Sequence, residues 1–518
     1  MANPISRFVG TGLNMVQRGR EFGRALQQEV SAVLESPDTT VLGRLGQVVS
    51  PPLHKATSET KSEQASVLFR RNLKQSGLSD QQKQALHSLL SSQAFHSCAE
   101  LSAALKEQLG PEVAARLASS PNRLPCLLAE SRQVPPLKFG RRLNFDCSGL
   151  KNEQISFDDR TGQVQATVVT SLNQLLGTRG RAAQIAEDYA SADIPLKLTI
   201  PLGNGQAGQF RKLPLVAKRQ LLNTGLRAAP GVTCLVHGFQ STKEIWDSTQ
   251  KSWIQPGFVG LACDGFGSGG EAKSDGSAPY TPKQYAFQML ETLDALGLLG
   301  AKQLHVVGHS MGGAAAGEMA VALDKAGYDG QARFLLMAPA CSPDHLPAFQ
   351  GHRDLVDVVN AVLIGGIYVP MGALQWSAPL VDWTDRQFPG LSRWMVDHGL
   401  GLKDSPEHIR DHNASYYRVD SPDASRNRRC RSFEAMMGLA TQSGLQPGEL
   451  RRAGKKFGIF TAHFGADRLV SPEAIKKLKG EGIGSLTMGT ASHNACFDPR
   501  VAERIAARSQ AYFEKHGL

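Results

Sequence analysis

The chain has 518 residues, of which 41% are hydrophobic and 20% charged, a globular mix with enough length for two or three folded units and a substantial core. Its formal net charge is +10, which would suit an acidic partner. No zinc-finger spacing, RNA-binding strand signature or basic zipper accompanies that charge, so nucleic acid is not an expected partner.

Residues 1–130 read as a helical region for targeting, export or partner binding. Near the start, Ile5, Phe8, Val9, Leu13 and Val16 fall at helical spacing. Arg7, Arg18, Arg20, Glu21 and Arg24 interrupt any cleavable signal core or confident transmembrane span. Residues 36–63, rich in Ser, Thr, Pro and Gly, read as a flexible connection. Ser79 with Gln82, and Ser97 with Glu100, each predict a helix opened by a capping box. The second of these helices should run from Cys98 to Leu109 and stop at Gly110, with Pro111 starting another.

Pro135 and Pro136 mark a boundary, after which residues 163–169 and 195–200 look like strands and 203–208 resembles a hairpin loop before a strand at 210–217. The order then becomes regular. Strands are expected at 232–236 and 258–263, a helix at 281–298, a strand at 304–307, a helix at 311–325 and a strand at 334–337. An insertion at 341–454 follows, and the pattern resumes with strands at 457–461 and 485–488 and a helix at 499–515. Strands alternating with helices give a parallel sheet covered on both faces, so 131–340 and 455–518 form an α/β core.

The most informative stretch is Gly308-His309-Ser310-Met311-Gly312, between the apolar run 304–307 and the small, helix-forming residues that follow. Strand, sharp turn and helix with a serine at the apex is a nucleophile's position, because such a turn exposes the hydroxyl at the carboxyl end of a sheet. Glycines flank it where side chains would clash.

Residues 194–518 resemble the α/β-hydrolase family, whose eight-stranded, mostly parallel sheet carries Ser, then Asp or Glu, then His in that chain order. The resemblance implies Ser310 as nucleophile and His493, in a loop between the last strand and last helix, as the base that takes its proton. It implies Asp467, in Gly465-Ala466-Asp467-Arg468, as the carboxylate that fixes the imidazole tautomer. Asp264 and Asp344 also follow strands. Asp264 belongs to Asp264-Gly265-Phe266-Gly267-Ser268-Gly269, which looks like the family's glycine-rich turn, and both are poorer candidates. His237-Gly238-Phe239 resembles the family's oxyanion motif, with the backbone N–H groups of Phe239 and Met311 as the implied donors and His237 conventionally structural.

The insertion reads as a helical cap or lid. Residues 358–381 carry no formal charge and include Leu363, Ile364, Tyr368 and Trp376, while Gly365, Gly366, Pro370 and Pro379 break any membrane span. An apolar lid would line a pocket for an acyl chain and exclude water. Arg426, Arg428, Arg429 and Arg431, followed by Arg451, Arg452, Lys455 and Lys456, form the densest basic stretch. No aromatic residue interleaves it for base stacking, so beyond solvation it fits peripheral contact with an anionic membrane.

The eight cysteines are scattered without CxxC pairs, and Cys234 and Cys263 sit in apolar runs. A reducing compartment such as the cytoplasm, or export without a cleaved signal, is expected; metal binding is not, and no cofactor is called for. The expected function is a serine hydrolase cleaving a carboxylic ester of a hydrophobic or lipid-like substrate through an acyl-enzyme. Thioesterase and acyltransferase chemistry on the same residues, or a ligand-binding effector with slow turnover, are the alternatives.

Overall fold

The computed structural model describes residues 78–517 apart from 140–142, 159–163, 204–206, 266–267, 269–273, 276–277, 302, 343–344, 346–405, 410–411, 413–426, 429, 433, 436–437, 440–444, 468, 477 and 481. The amphipathic stripe in residues 1–27, the connection at 36–63, Asp344 and the uncharged run 358–381 lie outside the described residues.

Nine strands form one sheet: β1 (Ile155–Asp158), β2 (Gln165–Ser171), β3 (Pro195–Pro201), β4 (Gly231–Val236), β5 (Val259–Cys263), β6 (Gln303–His309), β7 (Gln331–Met337), β8 (Gly458–Phe464) and β9 (Ile483–Met488). Their order is β1-β2-β3-β5-β4-β6-β7-β8-β9. The pairs from β5 to β9 are parallel, whereas β1, β2 and β3 form an antiparallel wing that joins β5. This is the expected α/β-hydrolase architecture, with nine described strands where the resemblance implies eight.

Burial explains the pattern. Every residue of β4, β5 and β8 is buried, as expected where helices cover both faces of a parallel sheet. Neighbours along one strand point to opposite faces: Val306 joins the cluster with Leu290, Ala315 and Met319, while Val307 joins the one with Trp253, Phe497 and Phe513. The helices Pro282–Leu296 and Met311–Lys325 cover the first face, and Pro499–Lys515 lies on the second.

The strand expected at 210–217 is not there. Residues 207–228 hold the helices Ala207–Lys212 and Leu215–Ala228, not a hairpin leading to a strand at 210–217. Pro214 caps the longer helix, and Lys218, Leu222, Gly225 and Leu226 form its buried stripe. That stripe has helical period, but it begins at Lys218, beyond the short window 210–217 that reads as a strand. Gly225 is needed there because a Cβ would come within 2.3 Å of the Pro201 carbonyl.

The helices Asp80–Ser92, Cys98–Leu109, Pro111–Ala118 and Arg123–Ser131 share a separate apolar cluster around Leu86, Phe95, Leu101 and Leu117. Ser79 and Gln82 form a reciprocal capping box. At the next helix the Ser97 hydroxyl accepts from the Glu100 N–H, but the Glu100 carboxylate turns to the His96 N–H at 2.7 Å, so that box is only half made. Polar contacts join this cluster to the sheet layers. Arg132 reaches Glu291 at 3.4 Å, Asn122 Nδ2 donates to the Ala278 and Pro279 carbonyls, and Asp188 accepts from the Cys98 N–H.

Candidate active site

The strand order places the site. After β4 the chain moves to β5 on one side, while β6 and β7 continue on the other, so loops leaving the carboxyl ends of β4 and β6 diverge and leave a crevice. His237-Gly238-Phe239 leaves β4 there, and Ser310 leaves β6 beside it.

Ser310 stands between β6 and the helix Met311–Lys325 with φ 57° and ψ −121°. That conformation costs a non-glycine residue on the order of 1–3 kcal/mol and persists only where its surroundings impose it. Here the Ser310 N–H donates to the Met337 carbonyl at 2.9 Å, and the Ser310 carbonyl accepts from Ala314 and Ala340, each at 3.1 Å. Two glycines let the turn close. A Cβ on Gly308 would lie 2.2 Å from the Gly312 carbonyl oxygen, and one on Gly312 would lie 2.2 Å from that of Val236. Residues 304–309 are buried, whereas Ser310 is partly exposed.

His493 Nδ1 and Asp467 Oδ2 are 2.7 Å apart, and both side chains are buried. The other Asp467 oxygen accepts from the backbone N–H groups of Leu469 at 2.8 Å and Val470 at 2.9 Å. Asp467 follows β8 and His493 follows β9, so adjacent parallel strands bring together two residues far apart in sequence. No hydrogen bond joins Ser310 Oγ to His493 among the described residues.

Gly238 brings the β4 loop against the serine: a Cβ there would lie 3.0 Å from Ser310 Cβ. Phe239 follows it, and Met311 opens the helix, so the Met311 N–H is one of the first-turn donors that have no partner within the helix. Gly238, Phe239 and Met311 border one small recess with Tyr280, Tyr285 and Arg431.

A model described as the alpha/beta hydrolase family matches residues 235–507. The chain belongs to the alpha/beta hydrolase family. Solved structures similar to it include a thermophilic esterase from Thermogutta terrifontis, at 15% identity and a TM-score of 0.39, over 63% of this chain and 97% of that one. A 2-hydroxy-6-oxo-6-phenylhexa-2,4-dienoate hydrolase from Rhodococcus sp. strain RHA1 is 16% identical with a TM-score of 0.40, over 63% and 95% of the two chains. A bacterial membrane phospholipase A is 15% identical with a TM-score of 0.38, over 62% and 83%. Among curated proteins nothing matches.

In this alpha/beta hydrolase, His237 and Asp264 each have identifiable partners. His237 Nδ1 meets the Gly238 carbonyl at 2.8 Å, and its Nε2 accepts from the Gly265 N–H at 2.7 Å, so the neutral ring ties two loops together. Burial holds it below the ordinary histidine range despite the nearby Asp264. Asp264 is itself engaged, accepting from the Lys243 N–H at 2.7 Å and from its ammonium at 2.9 Å. The carboxylate that stands beside His493 is Asp467.

Within the basic stretch, Arg431 is buried against Glu434 at 2.7 Å, and Arg452 pairs with Asp324 at 2.8 Å. His309 is the residue that sequence reading passed over. It adjoins Ser310, is buried, and its ring centroid lies 4.6 Å from that of His493. Among the described residues no group of His, Cys, Asp and Glu is arranged to hold a metal ion, and no helix is long and apolar enough to cross a membrane.

Proposed function

We propose that this alpha/beta hydrolase is a serine hydrolase that cleaves a carboxylic ester, by acylation of Ser310 and release of the acid by water. The observation that carries the reading is the strained Ser310 apex together with the 2.7 Å pair of His493 and Asp467 at the same edge of the sheet. His493 takes the Ser310 proton as the hydroxyl attacks the acyl carbon, then delivers it to the departing alcohol. It next takes a proton from water, whose oxygen attacks the acyl carbon, and returns that proton to Ser310 Oγ as the acyl–serine bond breaks and the acid leaves. Asp467 keeps the imidazole proton on Nδ1, which leaves Nε2 as the acceptor. The N–H groups of Phe239 and Met311 receive the charge that develops on the acyl oxygen. A serine and histidine not yet in hydrogen-bond contact are compatible with this, since such contacts commonly tighten when substrate binds. The uncharged run 358–381 supports a hydrophobic or lipid-like acyl group.

A fluorophosphonate probe and a series of short- and long-acyl esters test the proposal. The wild-type protein should be labelled and should hydrolyse at least one ester, while Ser310→Ala does neither. Equal labelling or equal hydrolysis by the two proteins would reject Ser310 as nucleophile.

A further inference from the structure

We infer that His309 is a positioning residue, one that fixes where His493 stands relative to Ser310 by gripping the His493 backbone. The inference rests on the proposed serine chemistry. His309 ends β6, where it pairs in register with Met337 of β7, and is the residue just before the serine. Its Nε2 lies 2.9 Å from the His493 carbonyl oxygen. A carbonyl only accepts, so Nε2 carries the hydrogen. The ring packs edge-on to Phe497, with centroids 5.0 Å apart, and tilts against the His493 ring.

The His493 loop is thus held from two strands. Asp467, after β8, takes the imidazole nitrogen, and His309, at the end of β6, takes the main chain of the same residue. The first contact sets the tautomer and tilt of the ring. The Ala466 N–H also donates to the Ala491 carbonyl at 3.0 Å, so the His493 loop is tied to the loop after β8, but neither contact references it to β6. The second contact adds that reference, to the residue bonded to the nucleophile. Burial and the neighbouring His493 both hold His309 below the ordinary histidine range, with its own hydrogen bond opposing them. His309 therefore remains a neutral donor beside an imidazole that becomes positive during turnover, and it adds no repulsion there.

The experiment compares wild type, His309→Phe, which keeps an aromatic ring without the donor, and His309→Gln, whose amide Nε2 can donate from a similar place. Rates of ester hydrolysis and of fluorophosphonate labelling are measured for each, with thermal melts to establish folding. A misplacement of about 1 Å costs about 10²-fold in rate. His309→Phe should therefore lose roughly 10- to 100-fold in kcat and in labelling rate with KM little changed, and His309→Gln should recover most of it. A folded His309→Phe that labels at the wild-type rate overturns the inference while leaving the serine mechanism standing. So does a folded His309→Gln as slow as His309→Phe. If His309→Phe does not fold, His309→Gln and its KM-against-kcat split decide: near wild-type kcat supports the grip, and a large loss of kcat refutes it. Wild-type protein that neither labels nor hydrolyses refutes the underlying function instead.

Discussion

Asp467 receives donors from three directions, His493 Nδ1 and the backbone N–H groups of Leu469 and Val470. An asparagine has one acceptor oxygen to offer all three. The arrangement with fewest conflicts keeps that oxygen on the two backbone groups and turns the amide NH2 toward Nδ1, which must then accept. The imidazole hydrogen moves to Nε2, where it blocks acceptance of the Ser310 proton. Asp467→Asn should therefore lower kcat by about 10⁴ with KM little changed, measured on whichever ester the wild type cleaves best. A loss of less than about tenfold would mean that the imidazole tautomer is not set here. The placement of Ser310, Asp467 and His493 after β6, β8 and β9 was legible because each sits in a local pattern and the chain order is one that a known fold uses. His309 was in plain view within the serine motif, yet its contact was not legible. Its partner is a backbone carbonyl 184 residues away, and no side-chain pattern reports which carbonyl a ring nitrogen will meet.

Elements were most legible where hydrophobic period and boundary signals agreed. The helix Met311–Lys325 follows a glycine-flanked turn, and Pro499–Lys515 opens with an Asp498 cap and a proline; both appear at their expected bounds. The helix Leu215–Ala228 was misread because it opens on the short apolar run Leu215-Val216-Ala217 and its buried stripe shows only farther along. The short β1 adds an edge to the antiparallel wing through pairing with β2, a long-range condition that a run of four residues does not announce. The turn around Ser310 offers a test at this scale. Alanine normally favours a helix over glycine by about 1 kcal/mol. At Gly312 the sign should reverse, because the added Cβ would sit 2.2 and 2.3 Å from the carbonyl oxygens of Val236 and His237, forcing the helix off β4. Overpacking of this kind costs about 1–3 kcal/mol. Gly448, in the helix Pro447–Lys456, has open space around its Cβ position and is the control. Thermal melts should show Gly312→Ala destabilised and Gly448→Ala unchanged or stabilised; a Gly312→Ala melt at or above wild type would refute the close approach.

Across the whole molecule, the four helices between residues 80 and 131 are fastened to the sheet layers by charged groups in a dry setting. Arg132 lies 5.4 Å over the Phe287 ring and meets Glu291, which Arg181 also meets at 3.2 Å. Asp188, at the end of the helix Arg181–Asp188, is 1% exposed and accepts from the Cys98 N–H at 2.7 Å through Oδ1. Its Oδ2 is buried with no hydrogen-bond partner among the described residues. Burial, aided by the negative charge of Glu291, raises its carboxyl to about 6 against the Cys98 hydrogen bond and the nearby arginines, which lower it. The folded state therefore holds this proton more tightly than the unfolded chain does. The resulting contribution is present in full below the ordinary carboxyl range and is lost as the pH rises through about 6. Asp188→Asn retains an oxygen for the Cys98 N–H and has no charge to desolvate. Denaturant unfolding of both proteins should give similar stabilities near pH 4, with the variant gaining an advantage that reaches on the order of 1–3 kcal/mol above about pH 6. Subtracting wild type from variant at each pH removes the titration of groups that do not interact with Asp188 from the comparison. A difference that stays flat from pH 4 to pH 8, or a variant less stable at pH 8, would show that Asp188 is charged at little cost.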